Sequence, residues 1–333
     1  MEFGRIKPTE LKVVDWNLPP DPKQTTDVLS KSKSHNTIFE LGCAKWGRKD
    51  WIGKLYPVGT KEKDFLEAYA KHFNSIEFNA LFYRMPTREQ VMDWKSKVGA
   101  DFKFCPKFPD TITHIRRLKN CQKETEQFLQ VLDWFGEKLG SVFLMPHPQM
   151  GLKHFDTIKA YIASLPQDIN LFVELRHPEW FEKEASEQIF ELFEKSKVGS
   201  VITDTAGRRD CLHMHLSTPE TFIRFVGNSL DPSDYSRIDA WVKRLKEWKS
   251  KGLQRCYFFM HQHDELYSPE LSVYLIEALN RECGLNLQVP QLIKNGSVAA
   301  DKNQIAKKAA PKKALLPGTS GTKTAAKKKT SRK

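Results

Sequence analysis

Eight short apolar runs, separated by stretches with helical periodicity, restrict this chain to very few architectures. The runs are Thr37–Leu41, Ser75–Asn79, Phe102–Pro106, Ser141–Met145, Leu171–Leu175, Ser200–Thr203, Thr221–Val226 and Arg255–Met260. Each is rich in Val, Ile, Phe or Leu and short, as strands covered on both faces are. Between them, apolar residues recur at three- and four-residue spacing. Phe65, Leu66, Tyr69 and Phe73 form one stripe. Phe128, Leu129, Leu132, Trp134 and Phe135 form a second, and Ile189, Phe190 and Phe193 a third. Ile238, Trp241, Val242 and Leu245 form a fourth, which Lys251-Gly252 is placed to end. These stripes read as core packing. Strands alternating with helices imply βα units and a parallel sheet. Eight units at this length predict an α/β fold of the closed (β/α)8, TIM-type barrel kind rather than a doubly wound sheet. No GxGxxG follows a strand, which also weighs against a dinucleotide-binding fold.

The flanks read differently. Residues 1–36 are a polar lead, expected to pack loosely, in which Leu18-Pro19-Pro20-Asp21-Pro22 blocks any long helix. Residues 37–292 would form the barrel, and 293–333 a Lys-rich tail. The formal net charge of +12 belongs almost wholly to that tail: residues 301–333 hold eleven Lys or Arg and one acid, against 42 basic and 40 acidic groups elsewhere. Built from Lys, Ala, Thr, Gly and Pro, the tail is expected to be disordered. It would touch nucleic acid only non-specifically, through counterion release. No stretch nears the roughly 18 to 20 apolar residues of a membrane span. The start lacks a secretory layout, and six cysteines without a CxxC pair suit reduced thiols in a cytoplasm.

In barrels of this kind chemistry collects where strands end at their carboxyl side, and here those ends are crowded with polar groups. Run 1 exits into Gly42-Cys43-Ala44-Lys45-Trp46. Run 2 carries Glu77 and Asn79, with Tyr83 beyond. Lys107 follows run 3, with His114 in its loop, and Pro146-His147 follows run 4. Run 5 carries Glu174, Arg176 and His177, then Trp180. Asp204 ends run 6, Arg224 lies in run 7, and His261-Gln262-His263 follows run 8. Period-two alternation puts Glu77 and Asn79 on one face, and Glu174 and Arg176 on one face. A charge inside a strand such as LFVELRH needs a partner or a wet cavity. An ion-pair network, Glu174 with Arg224 or Lys107, is therefore one expectation and a reactive site the other.

GCAKWGRKDWIGKLYP, FNSIEFNALFYRMP, FKFCPKFPDTITHIRRL and LFVELRHPEW, in that order, resemble the YecE-like barrel proteins, the domain of unknown function numbered seventy-two. The resemblance spans roughly residues 37–285 and implies a TIM-type barrel; it brings no agreed activity. The family's recurring polar residues fall on Trp46, Glu77, Asn79, Tyr83, Lys107, His114, Glu174, Arg176, Trp180 and Arg224. Three departures stand out. Ala44-Lys45-Trp46 replaces Ser-Gly-Trp, Arg224-Phe225-Val226-Gly227 replaces Arg-Leu-His-Gly, and Phe259-Met260-His261-Gln262-His263 stands where the family has Phe-Asn-Asn-His.

These residues support an enzyme using acid–base chemistry on a small anionic substrate, phosphorylated substrates included; hydrolase, lyase and isomerase chemistry all fit. Glu77, Glu174 and His114 would be catalytic, one carboxyl kept protonated by burial and the other ionised by a cation. Lys107, Arg176 and Arg224 would complement the anion, while Trp46, Asn79, Tyr83 and Trp180 line the pocket. A metal-dependent hydrolase or isomerase also fits these residue types. A divalent ion would be held by Glu77, Glu174, Asp204 and His261, with the His213/His215 and His261/His263 pairs as further donors; no metal or cofactor is predicted outright. Two non-enzymatic roles remain compatible with the sequence. One is a nucleic-acid-associated protein, its basic rim built from Arg116, Arg117, Lys119, Arg208 and Arg209, and the other is a non-catalytic scaffold. Cys43 and Cys105 read as small buried hydrophobes.

Overall fold

The computed structural model describes residues 3–32 and 36–293. All eight apolar runs are strands: β1 (Ile38–Cys43), β2 (Ser75–Phe78), β3 (Lys103–Pro106), β4 (Val142–Leu144), β5 (Leu171–Val173), β6 (Gly199–Asp204), β7 (Glu220–Gly227) and β8 (Arg255–Gln262). Every pairing is parallel, and the ladders run in the order β1-β8-β7-β6-β5-β4 in one sheet and β2-β3 in another. The fold is thus mixed α/β, with a curled six-stranded parallel sheet and a two-stranded one. A ring of eight continuous ladders, as the sequence predicts, is not what forms.

The two gaps are bridged differently. Between β3 and β4 the backbone still meets at isolated points: Gly140 N–H donates to Phe104 O at 2.7 Å and Phe108 N–H to Phe143 O at 3.0 Å. Between β1 and β2 side chains take over. The Asn74 amide accepts from Leu41 N–H at 2.7 Å and donates to Phe39 O at 2.8 Å. The Tyr69 hydroxyl accepts from Cys43 N–H at 2.7 Å and donates to Ser75 O at 2.9 Å. Gly42 allows this approach, because a Cβ there would lie 2.0 Å from Ser75 O.

Helices Phe65–Ala70, Gln122–Phe135, Lys183–Lys195 and Pro232–Lys251 carry the four expected stripes, although the first stops before Phe73. Gly252 caps the last in the left-handed region, at φ 114°. The lead is not loosely packed. Its helix Lys23–Ser30 buries Thr25, Val28 and Leu29, and Asp21 pairs with Arg244 and Trp248. Residues 1–293 make one compact unit. The expected disordered tail lies outside the described residues from 294 onward. No helix among those described is long and apolar enough to cross a membrane.

The sheet encloses its own apolar cluster, Cys105, Phe143, Phe172, Val201, Phe222, Tyr257 and Phe259, separate from the larger core between strands and helices. Strand alternation places the residues two further along on the same inward face. Those residues are Lys107, Met145, Glu174, Thr203, Arg224 and His261. A polar layer therefore sits directly on an apolar one, at the carboxyl ends of the strands.

Candidate functional site

Arg224, on β7, organises this layer. Its Nε donates to Glu77 Oε2 and its Nη2 to Glu77 Oε1, both at 2.8 Å, while Nη1 donates to Glu174 Oε2 at 2.7 Å. Glu174 Oε1 also accepts from Arg176 Nε at 2.8 Å and from the Thr203 hydroxyl at 3.0 Å. Glu77 Oε1 accepts from the Asn79 amide at 2.9 Å, and Glu77 Oε2 lies 2.8 Å from His261 Nε2. The other His261 nitrogen faces Glu265 Oε1 at 3.7 Å. Glu77, Glu174, Arg224 and His261 are all fully or almost fully buried.

Burial by itself would raise both carboxyl groups, but their partners outweigh it. Arg224 and His261 hold Glu77 well below the usual carboxylate range, and Arg176, Arg224 and Lys107 bring Glu174 to about 2. The expected protonated carboxyl is therefore corrected: both acids are ionised. For His261 burial opposes the charged form, yet the carboxylates of Glu77 and Glu265 raise the imidazole above its ordinary value.

Lys107, just past β3, is 7% exposed. Its Nζ lies 4.0 Å from the centroid of the Phe82 ring and 5.9 Å from that of Phe143, and among the described residues it meets no hydrogen-bond acceptor. Burial first, and then the neighbouring Arg224 and Arg176, push the amine down to about 7 against the pull of Glu174 and Glu77. His114 packs edge-on against the same Phe82 ring, centroids 5.1 Å apart, and against His147 at 5.1 Å. Burial, with Lys107, His147, Arg176 and Arg117 nearby, brings His114 down to about 4. The imidazole is neutral, with Nδ1 2.8 Å from the Thr113 hydroxyl.

Arg176 is half-buried and pairs through Nε alone; its two Nη groups have no hydrogen-bond partner among the described residues. Phe3, from the lead, lies over this guanidinium at 4.0 Å and over that of Arg208 at 5.0 Å.

The layer thus gathers Glu77, Asn79, Lys107, Glu174, Arg176 and Arg224, with His114 beside it. Two other expected lining residues stand elsewhere. Trp46 stacks on Phe78 at 5.2 Å, on the outward face of β2 because Phe78 follows the inward Glu77. Trp180 is 1% exposed and donates to Met150 O at 2.7 Å. Tyr83, largely exposed, packs edge-on against Phe82 with centroids 5.0 Å apart, at the margin of the layer.

The four-residue metal set does not assemble. Asp204 is held by Arg237 and Trp241, each at 2.7 Å, and by Arg209. Glu77 and Glu174 are engaged by Arg224. Among the described residues no group of three or more His, Cys, Asp or Glu is arranged to hold a metal ion. His213 bonds Val201 O at 3.2 Å, and His215 stacks on Phe190 at 4.0 Å, so that pair serves the core. The expected basic rim is engaged locally: Arg116 on Glu124, Arg117 on Gln149, Arg208 on Asp210 and Arg209 on Asp204. All six cysteines are free and buried, and burial pushes the Cys105 thiol up to about 12. Phe82, Phe3, Glu265 and Thr203 at the site carry no signal in the sequence beyond proximity to strand ends. A groove of about 530 Å³ near Thr125, Leu129 and Tyr161 lies between outer helices, away from the polar layer.

Comparison with known proteins reaches the same region. The model of the family described as "Protein of unknown function DUF72" matches residues 40–293. The "UPF0759 protein YecE" of Escherichia coli O157:H7 is 29% identical over 276 residues, covering 76% of this chain and 98% of its own length. The protein of the same name from strain K12 matches to the same extent. A crystal structure of a DUF72 family protein from Enterococcus faecalis V583 superposes with a TM-score of 0.57 at 16% identity, over 76% of this chain and 100% of that one. One from Thermotoga maritima MSB8 gives 0.56 at 20%, over 74% and 100%. At these identities the solved structures support the fold alone.

Proposed function

The chain belongs to the DUF72 family, and from that premise we propose that it is an enzyme acting by acid–base chemistry on a small anionic substrate. The scaffold on this reading is a (β/α)8 barrel, the two sheets forming one ring through the side-chain and single-bridge seams described above.

One observation carries the reading. Arg176 presents both Nη groups without an acceptor among the described residues, at a half-buried position beside Lys107 and His114. A guanidinium fork left open in that way suits bidentate capture of a phosphate or carboxylate. Arg224 is not free for that task, since Glu77 and Glu174 occupy it. It fixes a floor of compensated charge, in which Glu174 is engaged by three hydrogen bonds and Glu77 by four. Lys107 is the group able to exchange protons near neutrality, with His114 a neutral imidazole beside it. Six buried thiols fit a reducing, cytoplasmic setting.

The test is thermal unfolding of the full chain with inorganic phosphate, phosphorylated metabolites, 2-oxo acids, divalent metals and short oligonucleotides. A ligand at about a hundred times its dissociation constant adds roughly 2.7 kcal/mol, several degrees in Tm. An anion-dependent shift lost in Arg176→Ala supports the proposal. A shift with metals alone favours a metal-dependent hydrolase, and no shift at all favours a non-catalytic scaffold.

A further inference from the structure

We infer that Lys107 is a nucleophilic amine that forms an imine with the carbonyl carbon of an anionic oxo compound, a 2-oxo acid or a phosphorylated aldehyde or ketone. The inference rests on the anion-binding reading and adds the reacting atom.

The chain shows how it treats a buried lysine with a structural task. Lys138, 8% exposed, donates to Val98 O at 3.2 Å and Gly99 O at 2.6 Å. Lys107 is buried to the same degree and donates to nothing among the described residues. Its backbone is fixed, N–H to Phe78 O at 3.1 Å and a parallel bridge to Phe143. An ammonium brings three donors and tolerates burial only when they are met. Here the nearby carboxylate oxygens are engaged by Arg224, Arg176, Thr203, Asn79 and His261, and Nζ lies against the Phe82 ring. Two guanidiniums disfavour a further cation. A neutral amine fits this environment, and a neutral amine has the lone pair that attacks carbonyl carbon.

The neighbours suit the step. Arg176 offers its open Nη groups to the anionic end of the substrate. His114 shares the Phe82 ring with Lys107, and its Nε2 is without a partner among the described residues. The Lys107 nitrogen attacks, the C–N bond forms, and the carbonyl π pair moves to oxygen, which takes up the first proton shed by nitrogen, relayed through His114. The carbinolamine then breaks its C–O bond as the second N–H proton passes to the leaving oxygen, releasing water. The result is amine plus carbonyl giving imine plus water, with no oxidant or reductant.

The experiment treats the full chain with glyoxylate, an aldehyde bearing a carboxylate, and cyanoborohydride, then maps modified lysines by peptide mass spectrometry. Lys107 is expected to be reductively alkylated at least about tenfold faster than the exposed lysines, and Lys107→Arg to lose that fast phase while the rest continue. Lys107 unmodified, or modified no faster than exposed lysines, overturns the inference. Acetaldehyde and a phosphate thermal-shift measurement separate the two readings. An Arg176-dependent phosphate shift with Lys107 unlabelled keeps the anion site and sinks the imine. Equal labelling of Lys107 by acetaldehyde and glyoxylate, with no shift by phosphate, supports the imine and sinks the anion site.

Discussion

Arg224 and Glu77 face each other across the interior of the sheet as a bidentate pair, both hydrogen bonds 2.8 Å long, between residues 147 apart in the chain. The pair joins β7 to β2, two strands in different hydrogen-bonded sheets. Its third branch, to Glu174, brings in β5. Charges this deep are tolerated because each carboxylate oxygen finds a donor, so the pair is structural first, and any chemistry built above it inherits its rigidity.

Replacing Arg224 with Met leaves two buried carboxylates without the guanidinium that bridges them, Glu174 keeping Arg176 and Glu77 keeping His261. Unfolding by urea should show a loss of roughly 3–5 kcal/mol, and Arg224→Lys should recover little, since a single ammonium cannot reproduce three directed bonds. A loss below about 1 kcal/mol would mean the pair does not hold the strands together.

Acid sensitivity follows from the same carboxylates. Glu174 is lowered from 4.5 to about 2, and Glu77 well below 4.5. A depressed folded-state value means the stabilisation is complete above the unfolded value and disappears as pH falls through the folded one. Urea midpoints should therefore change little through these two groups above pH 4.5 and fall between 4.5 and about 2. In Glu174→Gln that part of the acid slope should shrink; an unchanged slope would exclude Glu174 as its source.

For Lys107 the charged form is the disfavoured one, and stability again rises with pH. The groups facing it are Arg224 and Arg176 on the positive side, Glu174 and Glu77 on the negative, and the neutral His114. Its folded value is about 7 against 10.5, so folding at low pH must carry a disfavoured ammonium, and that penalty fades as pH rises from about 7 toward 10.5. Lys107→Met should be more stable than the parent at pH 6, on the order of 1–2 kcal/mol, with the gain shrinking toward pH 10. Equal stability at both would show that the amine is not under strain.

At the seam between β1 and β2, Tyr69→Phe strands Cys43 N–H and Ser75 C=O in a buried site. A loss of about 1–3 kcal/mol is expected, together with faster hydrogen exchange at the Cys43 amide. Exchange at Cys43 as slow as in the parent would show that the hydroxyl is dispensable.

Much of this architecture is legible in the residues. All eight strands are visible because each is a short apolar run, and the pairing of Glu174 with Arg224 follows from the cost of leaving a charge alone inside LFVELRH. The same-face placement of Glu174 with Arg176 follows from period two. What is not legible depends on distance along the chain. Nothing near His261 in sequence points to Glu77, 184 residues away, and nothing in the helix Pro232–Lys251 marks Arg237 and Trp241 as the partners that draw Asp204 out of a metal set. Trp46 and Trp180 read as pocket walls because aromatic residues beside strand ends look alike until the face they occupy is known. The break in the ladder between β1 and β2 is hidden for a related reason, since strand propensity is silent about which neighbour a strand fails to meet.

That break changes how the protein answers to mutation. Ladder hydrogen bonds come from the peptide unit itself and survive almost any exchange of side chain. Between β1 and β2 the equivalent bonds are supplied by an amide at 74, a phenol at 69 and the absence of a Cβ at 42. The cohesion of this one junction is thus encoded in three codons, and point mutation can weaken it while leaving the backbone pairing of every other strand untouched.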